Sequence, residues 1–399
     1  MIRELGWLLF FVALITSVII HEAGHFVTAK RFGMKATQFF AGFGPTLWSF
    51  QRGETEYGVK AIPAGGFVKI IGMTDLEEVA PEDEPRAFYR QAGWKRTIVL
   101  GAGSFMHFVI ALVLIWIGLL LVGTTKQTLT LDSVSCARAT ASQTCTPASP
   151  APALAAGMKP GDTLVSYNGK PVKTWAAFST DVQNGGLSPA TVVVSRDGVL
   201  KTFTMTPATV INPTTGKTLV GQDNKPLPKI GVGPVNQHTT YNVLTAIPTT
   251  FSTFGSAVSQ TVTGVSKLPS QVAHAFGANR TADNSPASVV GVGKIAGDAV
   301  ASGSVADRVA GFLGIVAALN LFVGLFNLLP LLPLDGGHIA ILWFEGVRSR
   351  LARLFHKPDP GRVDIVKLTP ALYAVLILIV GLSVTLLAAD IVNPIANPF

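Results

Sequence analysis

The sequence predicts a polytopic α-helical membrane protein with four transmembrane helices, a membrane-associated β-hairpin region and one extracytoplasmic domain of mixed α/β structure. Three observations carry this expectation. The 399 residues are 48% hydrophobic and only 14% charged, against about 25% charged in soluble domains, and mean hydropathy is +0.45. Four apolar stretches, 5–29, 97–122, 309–334 and 368–389, are each at least 22 residues long and hold one formal charge between them, Glu22. About 20 such residues span a bilayer. Finally, the lysines and arginines crowd into two of the connecting segments.

The first helix, 1–30, carries His21-Glu22-Ala23-Gly24-His25. An ionisable group inside a membrane helix costs about 2.5–3.5 kcal/mol or more, so it is functional by default and wants a partner. His21 and His25 are four apart and share one helix face, one turn from each other, where both imidazoles can bind one metal ion. Glu22 beside the first ligand is then placed as general base on water. The competing reading is a packed, hydrogen-bonded polar cluster, which leaves three polar groups to satisfy without a metal. No small-residue cleavage motif follows this helix, so it is not read as a removable signal peptide.

Residues 31–95 form a loop. Ten lysines and arginines lie between 30 and 96, and six more between 339 and 367. Basic residues in short loops mark the cytoplasmic side, which puts both loops inside and both termini outside. The net charge of +8 follows from this topology. No basic cluster with interleaved aromatics accompanies it, so no nucleic-acid partner is expected; the surrounding lipid is. Within the loop, Phe39 to Pro45 and Tyr57 to Ile71 are apolar runs punctuated by Pro63 and Gly65-Gly66, the pattern of hairpins. Such β-structure beside the membrane either dips into it under cover of protein and pairs with an extended strand, or is an ordinary surface hairpin. The acidic stretch 75–84 reads as a solvated loop.

The second helix is 96–123. The outer domain, 124–235, begins with a Thr, Ala, Ser and Pro-rich insert holding the chain's two cysteines, Cys136 and Cys145; in an oxidising compartment they close a small loop as a disulfide. From Ala155 a helical turn, the Gly161-Asp162 turn, a β-branched strand and the Asn168-Gly169 hairpin follow in close order, then strands around 191–195 and 201–205. Residues 236–307 form an amphipathic linker: 239–266 is uncharged, but half of it is Ser, Thr, Asn or Gln, which reads as interfacial and not as a span.

The third helix, 308–338, ends in Asn327-Leu-Leu-Pro330-Leu-Leu-Pro333-Leu334-Asp335-Gly336-Gly337-His338. Prolines and glycines break it near its cytoplasmic end, a break tolerated where it lines a cavity. Asp335 at that break either caps a helix or completes a His-His-Asp set with one position open for water, the build of a catalytic zinc site. The loop 339–367 and the fourth helix, 368–391, close the chain.

These elements together resemble known families. The order of turns and strands in 155–205 is similar to a PDZ domain of the bacterial protease type, which binds extended peptides and here either recruits substrates or excludes bulky ones. Across nearly the whole chain, HExxH in the first helix and Asn327-x-x-Pro330-x-x-Pro333-Leu-Asp335-Gly in the third resemble the site-2 protease family of intramembrane zinc metalloproteases. The branch is the RseP-like one with a PDZ domain between its second and third helices. Gly42-Phe-Gly-Pro-Thr-Leu-Trp and Gly53-Glu-Thr-Glu-Tyr-Gly-Val-Lys-Ala are closest to the actinobacterial single-PDZ type.

The resemblance implies Zn2+ held by His21, His25 and Asp335, with Glu22 activating water. It implies that Asn327 holds or polarises the substrate backbone, and that the Gly65-Gly66 hairpin pairs with an unwound substrate helix. It also implies a multi-pass protein of the bacterial cytoplasmic membrane, its PDZ domain outside and its site near the cytoplasmic face. The substrates implied are single-pass transmembrane proteins already trimmed outside, such as anti-sigma factors or signal-peptide remnants. Residues 285–296 resemble another family segment near the site. One departure is His107, where relatives carry Asn in Gly-Pro-x-x-Asn; it is read as a packed histidine, with a contact to the site second. His338 is read as structural. Two rivals are a catalytically silent PDZ membrane scaffold and a zinc transporter; the intact His-Glu-His-Asp set opposes the first, and the single polar cluster opposes the second.

Overall fold

The computed structural model describes residues 2–73, 79–137, 149–210, 218, 226–273, 275–276, 286–363 and 365–392. The chain divides into a unit of residues 1–122 with 241–399, and a unit of residues 123–240.

The first unit opens with helix α1 (Ile2–Arg31), followed by strands β1 (Ala36–Arg52) and β2 (Thr55–Ile70) and helix α2 (Gly93–Leu121). The hairpin is more folded than the sequence predicts. Phe39, Phe40 and Ala41 pair on one side with Val68, Phe67 and Gly66, and on the other with Tyr57, Gly58 and Val59; the far half of β1 pairs with Lys60 back to Thr55. Positive φ at Gly42 and Gly44 lets β1 bend. At its turn, Glu54 binds Lys30 (2.6 Å) and both terminal nitrogens of Arg86 (2.7 and 2.8 Å). These cations hold its carboxyl down at about 2. A buried cluster of Ala29, Met34, Ala36, Ile70, Val99 and Leu100 ties the end of α1 to β2 and the start of α2. Of the acidic stretch, 74–78 lies outside the described residues.

The second unit contains β3 (Thr124–Val134), the turn α3 (Pro152–Ala155), β4 (Thr163–Tyr167), β5 (Lys170–Pro171), α4 (Trp175–Gly185), β6 (Ala190–Arg196), β7 (Val199–Met205) and β8 (Val232–Thr239). The strands form one antiparallel sheet in the order β7-β6-β4-β3-β8, with β5 on β4. Alternate residues Val192 and Val194 of β6 are buried with Leu164, Tyr167, Phe178 and Met205, as the two-residue period of a half-buried strand requires. Thr174 caps α4 by accepting from the Ala177 amide at 3.1 Å. Cys136 is buried and disulfide-bonded; Cys145 lies outside the described residues.

The chain returns to the first unit with α5 (Ala246–Ala273), α6 (Val289–Ala301), α7 (Val305–Asn327), α8 (Asp335–Leu354) and α9 (Thr369–Val392). Among the described residues, α1, α2, α7 and α9 are long and apolar enough to cross a membrane, so this is a polytopic membrane protein. The amphipathic linker is helical over α5 and α6. The uncharged segment within α5 is not among the helices apolar enough to cross; its Ser and Thr hydroxyls bond back to carbonyls of their own helix. The third apolar run is not one helix to His338: α7 ends at Asn327, and α8 starts only at Asp335 and continues through much of the expected cytoplasmic loop. Pro330 and Pro333 remove amide donors in between. The two glycines that follow let the break fold back on itself, since a Cβ on Gly336 would lie 2.3 Å from the Leu328 and Leu329 carbonyl oxygens.

Candidate metal centre

His21 and His25 are buried on one face of α1, ring centroids 4.8 Å apart. Their helical spacing alone brings Nε2 of one to 3.2 Å from Nε2 of the other. The third group comes from more than three hundred residues away in the chain: Asp335 Oδ2 lies 3.4 Å from His21 Nε2 and 3.5 Å from His25 Nε2. Among the described residues, these three form the one group of ligand atoms converging closely enough to hold an ion, all within 4.8 Å of one another.

Two observations test whether a zinc ion fits. Tetrahedral zinc with ligands at about 2.0–2.1 Å separates its ligand atoms by roughly 3.3–3.4 Å, and the three separations bracket that value. Asp335 Oδ2 is buried without a hydrogen-bond partner among the described residues, a state that is costly unless a cation completes it. The donor set of two imidazoles and a carboxylate suits zinc as well. His25 is held for the purpose, since its Nδ1 donates to the Val99 carbonyl at 2.6 Å, which fixes the tautomer and leaves Nε2 bare toward the centre.

Glu22 lies between this group and the hairpin. The backbone of Val68 faces its carboxylate, and a Cβ on Gly66 would lie 3.2 Å from Glu22 Cγ. Gly65, at φ +143°, has a backbone conformation that side-chain-bearing residues avoid, and a Cβ there would strike the Phe43 ring at 2.7 Å. Gly66 thus lets β2 pass close to Glu22, while Gly65 makes room for the Phe43 ring. Asn327 is the last, half-buried residue of α7 and is not in the converging group. His338 is one turn into α8 and is likewise outside it.

Sequence reasoning missed three neighbours. Gly103 of α2 presses on both histidines, for a Cβ there would lie 2.4 Å from His25 Nε2 and 2.5–2.6 Å from the His21 ring; the visible signal was its place in the Gly101-x-Gly103 pair of an apolar helix. The Val99 carbonyl leaves no sequence signal. Asn320 of α7 is nearly fully buried and accepts from His107 Nδ1 at 2.8 Å, while its own amide nitrogen donates to the Val316 carbonyl at 2.8 Å. The His107 ring is also 5.0 Å from that of His21. His107 is therefore packed and hydrogen-bonded, joins α2 to α7, and backs a ligand of the centre.

Comparison with known proteins agrees with this geometry. A model of Peptidase family M50 matches residues 9–357. The chain is 39% identical to "Zinc metalloprotease Rip1" of Mycobacterium tuberculosis, covering 98% of both chains. It is equally similar, at 39% and the same coverage, to the protein of that name from Mycobacterium bovis, and 36% identical to that of Mycolicibacterium smegmatis over 99% of each. With the ligand set, the break before Asp335 and a match over most of its length, the chain belongs to Peptidase family M50, the site-2 proteases.

Proposed function

We propose that this protein is an intramembrane zinc metalloprotease that hydrolyses peptide bonds in membrane-embedded segments of its substrates. The observation that carries the reading is the convergence of His21, His25 and Asp335 at zinc-ligand spacing beside Glu22. His21, His25 and Asp335 hold the zinc, which when bound supplies Lewis acidity toward water and the scissile carbonyl. Glu22 takes the proton of the attacking water and returns it to the leaving amide nitrogen. The buried imidazoles and Gly103 keep the centre tight, so the nucleophile and the carbonyl meet in one orientation.

A helical peptide bond is already hydrogen-bonded, so the substrate has to unwind, and Gly65 and Gly66 belong to the stretch that receives it. In support, residues 66–68 of β2 pair on one edge with β1 and have no second strand partner among the described residues, an edge suited to strand addition. Asn327, just before the break, is assigned to the unwound backbone. The hairpin exposes Leu47, Trp48 and Ile62, in keeping with a loop that dips into the bilayer.

The Gly123–Thr240 unit is read as an extracytoplasmic PDZ domain. A groove of about 270 Å3 between α4 and residues 229–233 supports peptide binding by it. The density of lysine and arginine in 30–96 supports a site near the cytoplasmic face of a bacterial inner membrane. The substrates proposed are single-pass proteins trimmed beforehand, with anti-sigma factors and signal-peptide remnants as the first to try.

The test is cleavage of a tagged single-pass substrate by wild type and by Glu22→Gln in lipid, with zinc measured on the same samples. Wild-type cleavage and an inactive variant that keeps zinc are expected, with a loss of about 10²–10⁴-fold. Cleavage by Glu22→Gln would refute the assignment of the base. Inactivity of both with zinc in place, across several trimmed substrates, would favour a silent scaffold.

A further inference from the structure

A further cavity lies at the start of α2, in the first unit. It has a volume of about 860 Å3 and opens between the first turn of α2 and the outer face of α8. Arg96, Arg350 and Arg362 line it, with Trp94 and Trp343 at its walls. Both tryptophans are more than half exposed, and Trp343 Nε1 donates to Thr97 Oγ1 at 3.2 Å, which holds the two walls together. Two carboxylates also face the cavity, Glu345 and Asp359. Both accept hydrogen bonds from the 359–363 loop and its support: Glu345 from the Val363 amide at 2.8 Å, Asp359 from Ser349 Oγ and the Gly361 amide, each at 3.0 Å. The guanidinium Nε of Arg96 is buried with no hydrogen-bond partner among the described residues. Arg362 stacks on the Tyr89 ring at 4.0 Å, so Arg96 and Arg350 are the guanidiniums that face the cavity, beside two carboxylates that already serve the loop.

The position identifies the kind of anion. α2 is a candidate membrane span that begins at Gly93, so its first turn lies where the apolar helix meets water. α8 is amphipathic: Trp343, Val347, Leu351 and Leu354 recur at helical spacing and are all exposed, while Arg350 and Arg353 flank the row. An exposed apolar stripe edged by arginine on a helix beside a span is the pattern of an element lying in the headgroup layer. Basic pockets at that depth bind anionic lipid headgroups.

We infer that the cavity between α2 and α8 is a binding site for one phospholipid of negative headgroup charge, its phosphate diester met by Arg96 and Arg350 and its acyl chains lying along the exposed face of α8. The site is separate from the metal centre and rests only on the chain being a membrane protein. A lipid seated there packs α8, whose first residue is the ligand Asp335, against the start of α2.

The experiment is native mass spectrometry of the full-length, zinc-loaded protein in detergent, offered phosphatidylglycerol or phosphatidylcholine with identical acyl chains. Wild type is expected to retain phosphatidylglycerol over phosphatidylcholine. Each arginine removed should lower that preference about fivefold, so Arg350→Gln lowers it and Arg96→Gln with Arg350→Gln abolishes it, at unchanged zinc content. Equal retention of the two lipids by wild type overturns the proposal, as does an unchanged preference in the variants. If the double variant loses zinc, the single variant at exposed Arg350 decides. Displacement of the lipid by millimolar inorganic phosphate would assign the cavity to a free anion instead, and also overturns it.

Discussion

Each unit of this protein has a carboxylate withdrawn from water, and the two are treated differently. In the sheet unit, Asp162 is fully buried and saturated: Arg196 donates Nε to Oδ1 at 2.6 Å and Nη2 to Oδ2 at 2.8 Å, and the Lys159 amide adds a third bond at 2.9 Å. In the helical unit, Asp335 Oδ2 has no hydrogen-bond partner among the described residues and two imidazole nitrogens beside it. A saturated cluster is structural, because both carboxylate oxygens already have their donors. An unsaturated one that converges on a point has been left open for a ligand. The same contrast separates how the units are held. The sheet unit rests on close-packed apolar side chains, Leu164, Val192 and Val194 among them. The helices approach through small residues, as between Gly24 of α1 and the Ala102 carbonyl of α2, the way helices associate where burial of apolar surface contributes little.

Substitutions in the two units should therefore separate cleanly. Asp335→Ala should have the largest effect: zinc content falls to background and cleavage is lost, while amide exchange in the sheet unit is unchanged. Zinc retained at wild-type level by this variant would break the comparison. Leu164→Ala should do the reverse, destabilising the sheet unit by about 2–5 kcal/mol with zinc content intact, read as faster amide exchange in β4 and β6.

Gly103→Ala sharpens the contrast within the helical unit. Its Cβ has to displace a ligand imidazole, so zinc affinity measured by chelator competition should fall about 10–100-fold, whereas Gly314→Ala on open α7 surface should leave it unchanged. The smallest expected effect is on pH dependence. The Arg196 guanidinium, with the Lys159 amide, holds the Asp162 carboxyl below its ordinary range. The stability it contributes is then complete above the unfolded value of about 3.9 and is lost as pH falls through the lower folded value. The sheet unit should weaken below about pH 4, and Asp162→Asn should weaken it already at neutral pH with a flatter acid profile. Identical acid profiles for the two proteins would show that Asp162 carries none of the dependence.

Several features were legible in the residues alone. The four apolar runs and the i, i+4 histidines are local, written in consecutive residues, and helical geometry converts them directly into spans and a shared ligand face. Family motifs extended this to Asp335 and to the Gly65-Gly66 hairpin. Other features depend on contacts between distant segments, for which one sequence carries no period or spacing. The Val99 carbonyl that sets the His25 tautomer, the Gly103 backbone pressed on both ligands and the His107–Asn320 bond across α2 and α7 are of this kind. So are the double pairing of β1 with β2 and the start of α8 at the ligand itself.

The sequence by itself determined which groups can bind a metal and that the two histidines lie in a membrane helix, because residue chemistry and the 3.6-residue turn are properties of a single segment. Only the tertiary structure decided that the third ligand closes to 3.4–3.5 Å, because that distance is set by how α1, α2 and the break before α8 pack. No single segment contains it.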